Sequence, residues 1–462
     1  MIGNFEGWVL SVVLIAVVGR YLLIRKGPAA ARGAAMMLSF AFPVGIKIDI
    51  GGLPISIRTA IAGITLFGYA VHPQGKILSP LTLLDCCIAM FYLVHIVADS
   101  FATGFTIMLP FRSYGEWALP FVAGRFAIKD RHALKWIAMW VVGLLLLLGA
   151  MSCIEAMTKV NPFETLFGNR PQEMFRRSEQ RFGLKRAFGP TMHPIFLGMM
   201  IAILMPWLVT MWQSFESRRT RGLTILAGIV ALAGTVFTGS RTPVLTILAA
   251  ASLILLLKIR MLRWPLGLTL ALAISGFVAY PYEVTDALSR WTGGVENPRL
   301  IEIDGEGVVS SSSRTRLHVV SIYSEALIKA GPFGYGSNVT SGFPLRIPNM
   351  EGTFKSANLF KTVDNAYVLL TLRFGWVGGV CLVILFLTAI GTGLSLYFER
   401  PDQLFPGVVG CMLIVIACFS LLLVFMSYDF GLPILWSLGV LSGLASARIA
   451  NSQDLERAFR SN

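Results

Sequence analysis

Long apolar runs, separated by short polar turns rich in Lys and Arg, recur along almost the whole chain. A helix rises about 1.5 Å per residue, so roughly 20 apolar residues cross the ~30 Å hydrocarbon core of a bilayer. The pattern predicts spans near 7–25, 34–46, 56–71, 80–98, 104–127, 133–157, 193–213, 222–238, 242–258, 264–280, 363–395, 404–427 and 432–448. The second and third are short, with Lys47, Asp49 and Arg58 beside them, so the count is 12 or 13 transmembrane helices. The expected fold is an all-α polytopic membrane protein.

Composition removes the soluble alternative: 55% of the 462 residues are hydrophobic, 14% are charged, and the mean hydropathy is +0.70. One membrane domain covering 1–462 is expected. The first apolar run is followed by Arg20, Arg25 and Lys26 and by no small-residue cleavage site, so it reads as a retained span, not a secretory signal. The six cysteines fall in or beside spans without metal-ligand spacing to histidine, which implies neither a disulfide framework nor a metal site.

Short connections carrying Arg25, Lys26 and Arg32, then Lys129, Arg131 and Lys135, then Arg218, Arg219 and Arg221, then Lys258, Arg260 and Arg263, set the orientation. Assigning them to the cytoplasm, with the 449–462 tail, satisfies the positive-inside rule. Two large loops, 158–192 and 281–362, and the Gly239-Ser240-Arg241 turn then lie on the non-cytoplasmic side. The net charge of +14 is partly accounted for by anionic lipids as partners; no nucleic-acid partner is read from it. The 158–192 loop is different, holding seven Lys or Arg against Glu164, Glu173 and Glu179 on the side where cations are unexpected. Such an excess calls for an anion.

Within the second loop, residues 290–313 have the polarity of a flexible cover, and 314–330 have helical period. Leu317, Val320, Tyr323 and Leu327 form the apolar stripe; Arg316 joins it and points inward, whereas Arg314 and His318 lie on the wetter face. Serines 310–313 are the expected N-caps and Gly331-Pro332 the stop. A buried arginine needs a partner, for which a substrate phosphate is one choice. Beyond the loop, Asp364-Asn365 opens an apolar run, where an acid commonly caps the helix and complements its dipole. Asp85 and Asp99 bracket the fourth span and Arg125 lies near the end of the fifth, where ionisable groups are functional candidates by default, but Asp85 and Arg125 lie near the expected cytoplasmic edge and are read as structurally paired or snorkelling.

The order of motifs is a basic loop ending in Gly183-Leu184-Lys185-Arg186-Ala187-Phe188-Gly189-Pro190 and His193-Pro194, then Thr238-Gly239-Ser240-Arg241, then Arg316 with Pro332-Phe333-Gly334-Tyr335-Gly336, then Asp364-Asn365 with Gly375 and Gly378. Over residues 160–400 this resembles the O-antigen ligase and Wzy polymerase superfamily of membrane glycosyltransferases. The resemblance implies undecaprenyl-diphosphate-linked saccharides as substrates, a bacterial inner-membrane location with a periplasmic active face, and a polysaccharide co-polymerase and a flippase as partners. Asp364 stands where the ligase signature has histidine, which favours the Wzy-type exopolysaccharide polymerase.

The chemistry requires charge on a leaving diphosphate to be stabilised and one hydroxyl to be activated. Arg186, Arg241 and Arg316 are the candidates for the diphosphate, because guanidinium is permanently charged and grips phosphate oxygens in a fork. Asp364 is the candidate base. Arg181, Lys185, His193, Arg314 and Asn365 are candidate substrate contacts. No external acidic pair has divalent-metal spacing, so neither metal nor cofactor is called for. Plainer roles compete: Arg241 snorkelling to headgroups, His193 as a structural imidazole, and Gly334-Tyr335-Gly336 as a turn instead of a phosphate loop. An O-antigen ligase shares the same arginines. A transporter or flippase of a saccharide lipid would show paired Gly/Pro-broken spans in two halves, and these are not found.

Overall fold

A computed structural model describes residues 4–43, 45–71, 80–127, 131–167, 180–181, 183–291, 299–303, 306–310, 319–320, 323–337, 363, 365–399 and 428–460. The chain is an all-α polytopic membrane protein. In chain order the helices are α1 (Asn4–Lys26), α2 (Pro28–Phe40), α3 (Ile57–Val71), α4 (Leu83–Thr103), α5 (Met108–Ser113), α6 (Leu119–Ala127), α7 (Arg131–Thr158) and α8 (Pro162–Phe167). They continue as α9 (Pro194–Leu204), α10 (Trp207–Ser214), α11 (Arg218–Phe237), α12 (Arg241–Lys258), α13 (Arg263–Ala279), α14 (Pro281–Trp291), α15 (Ser324–Lys329), α16 (Ala366–Glu399) and α17 (Tyr428–Arg460). Among the described residues, seven helices are long and apolar enough to cross a membrane. The expected span at 404–427 lies outside the described residues.

Outward-facing apolar surface identifies the solvent. Only 22% of the apolar window of α1 and 28% of that of α11 is buried against protein, while Phe67 and Trp264 are largely exposed. Water would penalise such faces, whereas lipid does not. The last span, Phe430–Ala447, is the opposite case at 83% buried, and forms the centre of the bundle. Small residues let it pack there: a β-carbon on Gly439 would meet the Phe121 carbonyl of α6, and one on Gly443 the Arg125 carbonyl. In lipid, where apolar side chains gain little by leaving the solvent, such backbone approach is a main source of helix association.

At one end of this core, Arg125 Nε donates to Asp85 Oδ1 at 2.7 Å and its Nη2 to the Pro80 carbonyl at 3.0 Å, while Ser442 donates to the same carboxylate at 2.8 Å. The expected structural pair is thus present and fully hydrogen-bonded, as a buried pair must be to offset desolvation.

Three expectations change. The second helix runs Pro28–Phe40 instead of 34–46, because Gly27 at φ 88 and Pro28 at the first helical position start it early, and the antiparallel hairpin Lys47–Ile50 and Leu53–Ser56 follows it. Residues 299–303 and 306–310, read as part of a flexible cover, pair as antiparallel strands in which Ile303 faces Glu306; the Asp304-Gly305 dipeptide between them is the sequence signal. Val320 is 58% exposed, and the buried positions are Val319, Tyr323 and Ala326. The face is turned because it packs on Val363, Leu369 and Leu372 around the start of α16.

Candidate active site

Side-chain pairings align the helices and define one end of the bundle. Trp117 meets His95 and Arg125 meets Asp85, so the α5–α6 segment runs antiparallel to α4. Ser442 meets Asp85 and Ser446 meets the Pro80 carbonyl just before α4, which makes α17 antiparallel to α4 as well. Phe196 faces Phe430 and Trp207 faces Trp436, so α9–α10 run parallel to α17. Phe91 faces Phe374 and Cys87 faces Thr388, so α16 is antiparallel to α4. The C-terminus of α4 and the N-termini of α9, α16 and α17 therefore share one end, opposite the Asp85–Arg125 pair. Of the sequence-derived site residues, the described Lys185, Arg186, His193, Arg241 and Asn365 belong to that end.

Two motifs far apart in sequence meet there. Arg186 Nε donates to the Thr238 carbonyl at 3.0 Å and its Nη2 to Ser240 Oγ at 3.0 Å, and Ala187 N donates to the Phe237 carbonyl at 3.1 Å. The basic loop is thereby laid along the Thr238-Gly239-Ser240 turn, with Gly239 at φ 61 making the bend. Arg241 is the first residue of α12. Its N-cap, Ser240, makes no side-chain cap bond to the helix, since its hydroxyl is turned to Arg186 and the Thr238 carbonyl. Two arginines close in sequence to this turn and the positive end of a helix dipole thus share one place, a setting that favours an anion.

Glu155 fixes this loop from below and was not anticipated. Its side chain is fully buried near the end of α7, Oε2 accepts from Phe188 N at 3.1 Å and Gly189 N at 2.8 Å, and Oε1 lies 3.6 Å from Lys185 Nζ. Asn161 adds a bond to the Gly189 carbonyl at 3.0 Å. Glu155 sits four residues before the basic loop starts to turn, within an apolar helix, and a lone acid in such a setting was the available clue.

Among the other sequence candidates, Lys185 donates to the Lys159 carbonyl at 3.1 Å besides facing Glu155. His193 caps α9, its Nδ1 accepting from Ile195 N at 3.2 Å. Arg181 lies in the short hairpin of Gln180–Arg181 with Leu184–Lys185. Asn365 accepts from Val368 N at 3.1 Å and opens α16. Asp364, Arg316 and Arg314 lie outside the described residues, as does the whole cationic stretch 168–179. Among the described residues, no three His, Cys, Asp or Glu side chains are grouped as a metal site needs.

The Pro332–Gly336 motif has a specific task. At Gly375, φ 69 and ψ −172 break α16. In an unbroken helix the carbonyls of Leu372 and Arg373 would receive the N–H groups of Trp376 and Val377. Here they receive Tyr335 N at 2.9 Å and Gly336 N at 2.8 Å, while Trp376 N and Val377 N turn to the carbonyls of Gly331 at 3.0 Å and Pro332 at 3.3 Å. The strap 331–336 restores the four backbone groups that the kink orphans. The approach is close enough that a β-carbon on Gly375 would meet Pro332, and one on Gly334 would meet the Arg373–Gly375 backbone. The strap's far side rests on α4, where Ser337 N and Oγ both donate to Asp99.

Residues 226–383 match the family model described as O-antigen ligase. The matched stretch contains Arg241, the strap, Asn365 and the Gly375 kink, and it supports a ligase- or polymerase-like glycosyltransferase activity in general terms. No curated protein matches the chain.

Proposed function

We propose, from the premise that the chain belongs to the O-antigen ligase/Wzy superfamily, that it is a Wzy-type glycosyltransferase polymerising undecaprenyl-diphosphate-linked repeats at the periplasmic face of a bacterial inner membrane. The observation that carries the reading is the bracing of Arg186 on the turn that leads into Arg241 and the uncapped start of α12. A diphosphate is an anion of the kind that a helix N-terminus and a pair of arginines favour.

In this reading the growing chain on its lipid diphosphate is the donor, and the non-reducing end of a new lipid-linked repeat is the acceptor. The acceptor hydroxyl oxygen bonds to the donor anomeric carbon with inversion. The anomeric carbon–oxygen bond to phosphate breaks, and the diphosphate departs with the electron pair. Arg186, Arg241 and Arg316 stabilise the charge that develops there, a task a divalent ion performs in other transferases. Asp364 takes the hydroxyl proton. Arg181, Lys185, His193, Arg314 and Asn365 contact substrate, and a chain-length regulator and a flippase act alongside.

Arg316→Ala and Asp364→Ala, expressed at wild-type level in the native host lacking its own copy, are expected to abolish polymer and accumulate single lipid-linked repeats. Polymer of normal length in both strains refutes the assignment. The family description itself favours a second reading, ligation. Loss of a ligase leaves long polymer on undecaprenyl diphosphate instead of single repeats, and a purified protein that moved lipid-linked sugar without forming a glycosidic bond would be a flippase.

A further inference from the structure

We propose that Asp99 is a positioning residue of the transfer site, holding the strap that sets the direction of the N-terminal half of α16. The proposal rests on the glycosyl-transfer reading above. Asp99 is 1% exposed at the inner end of four linked contacts. Oδ1 accepts from Ser337 N and Oδ2 from Ser337 Oγ, both at 2.5 Å. One turn back on the same helix face, His95 Nε2 lies 3.3 Å from Oδ2. Behind it, Trp117 Nε1 donates to His95 Nδ1 at 2.9 Å. An indole only donates, so Nδ1 bears no proton and the neutral ring carries its hydrogen on Nε2, toward the carboxylate. Trp117 belongs to the π-helical turn Tyr114–Ala118, a distortion that recurs at functional sites.

The direction of force is set by the strap. Since 331–336 replace the backbone bonds broken at Gly375, residues 366–374 point where the strap directs them. That segment ends at Asn365, next to the proposed base Asp364. Its nine residues make a lever on the order of 13 Å long, so a tilt of about 5° displaces the tip by about 1 Å. A displacement of that size in a reacting group lowers turnover by roughly 100-fold. Packing around the strap confirms its limited freedom: a β-carbon on Gly336 would meet the Ala102 side chain.

The test compares Asp99→Asn, Ser337→Ala, Ser337→Thr and the Asp99→Asn/Ser337→Ala double variant. Asparagine puts an amide N–H2 against one of the Ser337 donors, alanine removes one of those donors, and threonine keeps the hydroxyl. Each purified protein is assayed with lipid-linked saccharide extracted from the deletion strain, and rates are expressed per folded, monodisperse molecule. The expected result is a kcat lowered roughly 10- to 100-fold in the first two with KM unchanged, a double variant no worse than the poorer single, and activity retained with threonine. Unchanged kcat per folded molecule in Asp99→Asn overturns the proposal, leaving Asp99 a stabilising residue only. Wild-type turnover in Ser337→Ala beside an inactive Asp99→Asn also overturns it, since the carboxylate would then act directly. A wild-type protein that forms no glycosidic bond removes the underlying reading, and the wild-type control separates that failure from the others.

Discussion

Replacing Glu155 by alanine tests whether one buried carboxylate holds the basic loop in place. The side chain is fully buried, and two backbone N–H groups, of Phe188 and Gly189, end on its Oε2. Alanine leaves both donors without their acceptor. A buried unsatisfied group costs about 1–3 kcal/mol, so the expected loss is about 2–6 kcal/mol, before counting the Lys185 ammonium left without its counter-charge. Set against a total stability of about 5–15 kcal/mol, this is a large share. Phe188 lies two residues from Arg186, so the loop would also lose its register on Thr238 and Ser240, and transfer should fall with it. The assay pairs denaturant unfolding of the purified protein with glycosyl transfer per folded molecule. Glu155→Gln, which keeps one acceptor oxygen in place, should lose less than alanine on both counts. An alanine variant within about 1 kcal/mol of wild type, with full activity, refutes the argument.

Two further outcomes follow from the packing. Gly375→Ala must place a β-carbon at φ 69 and ψ −172, where only glycine is at ease, and against Pro332; the backbone strain alone is about 1–3 kcal/mol, and little folded, active protein should be recovered on size-exclusion chromatography. Arg125→Ala leaves the Asp85 carboxylate buried beside Ser442 and should lower stability by about 3–5 kcal/mol. Because that pair sits at the opposite end of the bundle, transfer per folded molecule should stay at the wild-type level, and a selective loss of turnover would contradict the two-ended arrangement.

The site was legible in part. Arg186 and Arg241 stood out because arginines on the wrong side of the orientation rule have few routine explanations, and the structure brings their motifs into contact. His193 was visible as a residue but its capping of α9 was foreshadowed only by the proline that follows it. Asp99 stood out only as an ionisable group at the end of a span, and His95 and Glu155 went unassigned. The first two are four apart on one face of α4, but that spacing is common, and nothing local says that Ser337 lies 238 residues away on the same carboxylate. The strap was equally opaque. Gly334-Tyr335-Gly336 and Gly375 each signal an unusual backbone, yet neither shows that one completes the hydrogen bonds of the other.

Hydropathy alone determined that this chain is a bundle of apolar helices, since lipid admits few other ways of satisfying a backbone, and the short basic connections predicted its orientation. The exact start of α2, the turned face of the Val319–Ala326 segment and the pairing of 299–303 with 306–310 were set by glycine, proline and packing, which override periodicity over short stretches. Tertiary structure alone decided which polar groups meet. In a chain whose spans are nearly uniform in polarity, helix order and rotation are chosen by close contacts such as Gly439 on Phe121, and those contacts determine that Glu155 reaches the basic loop and Asp99 the strap.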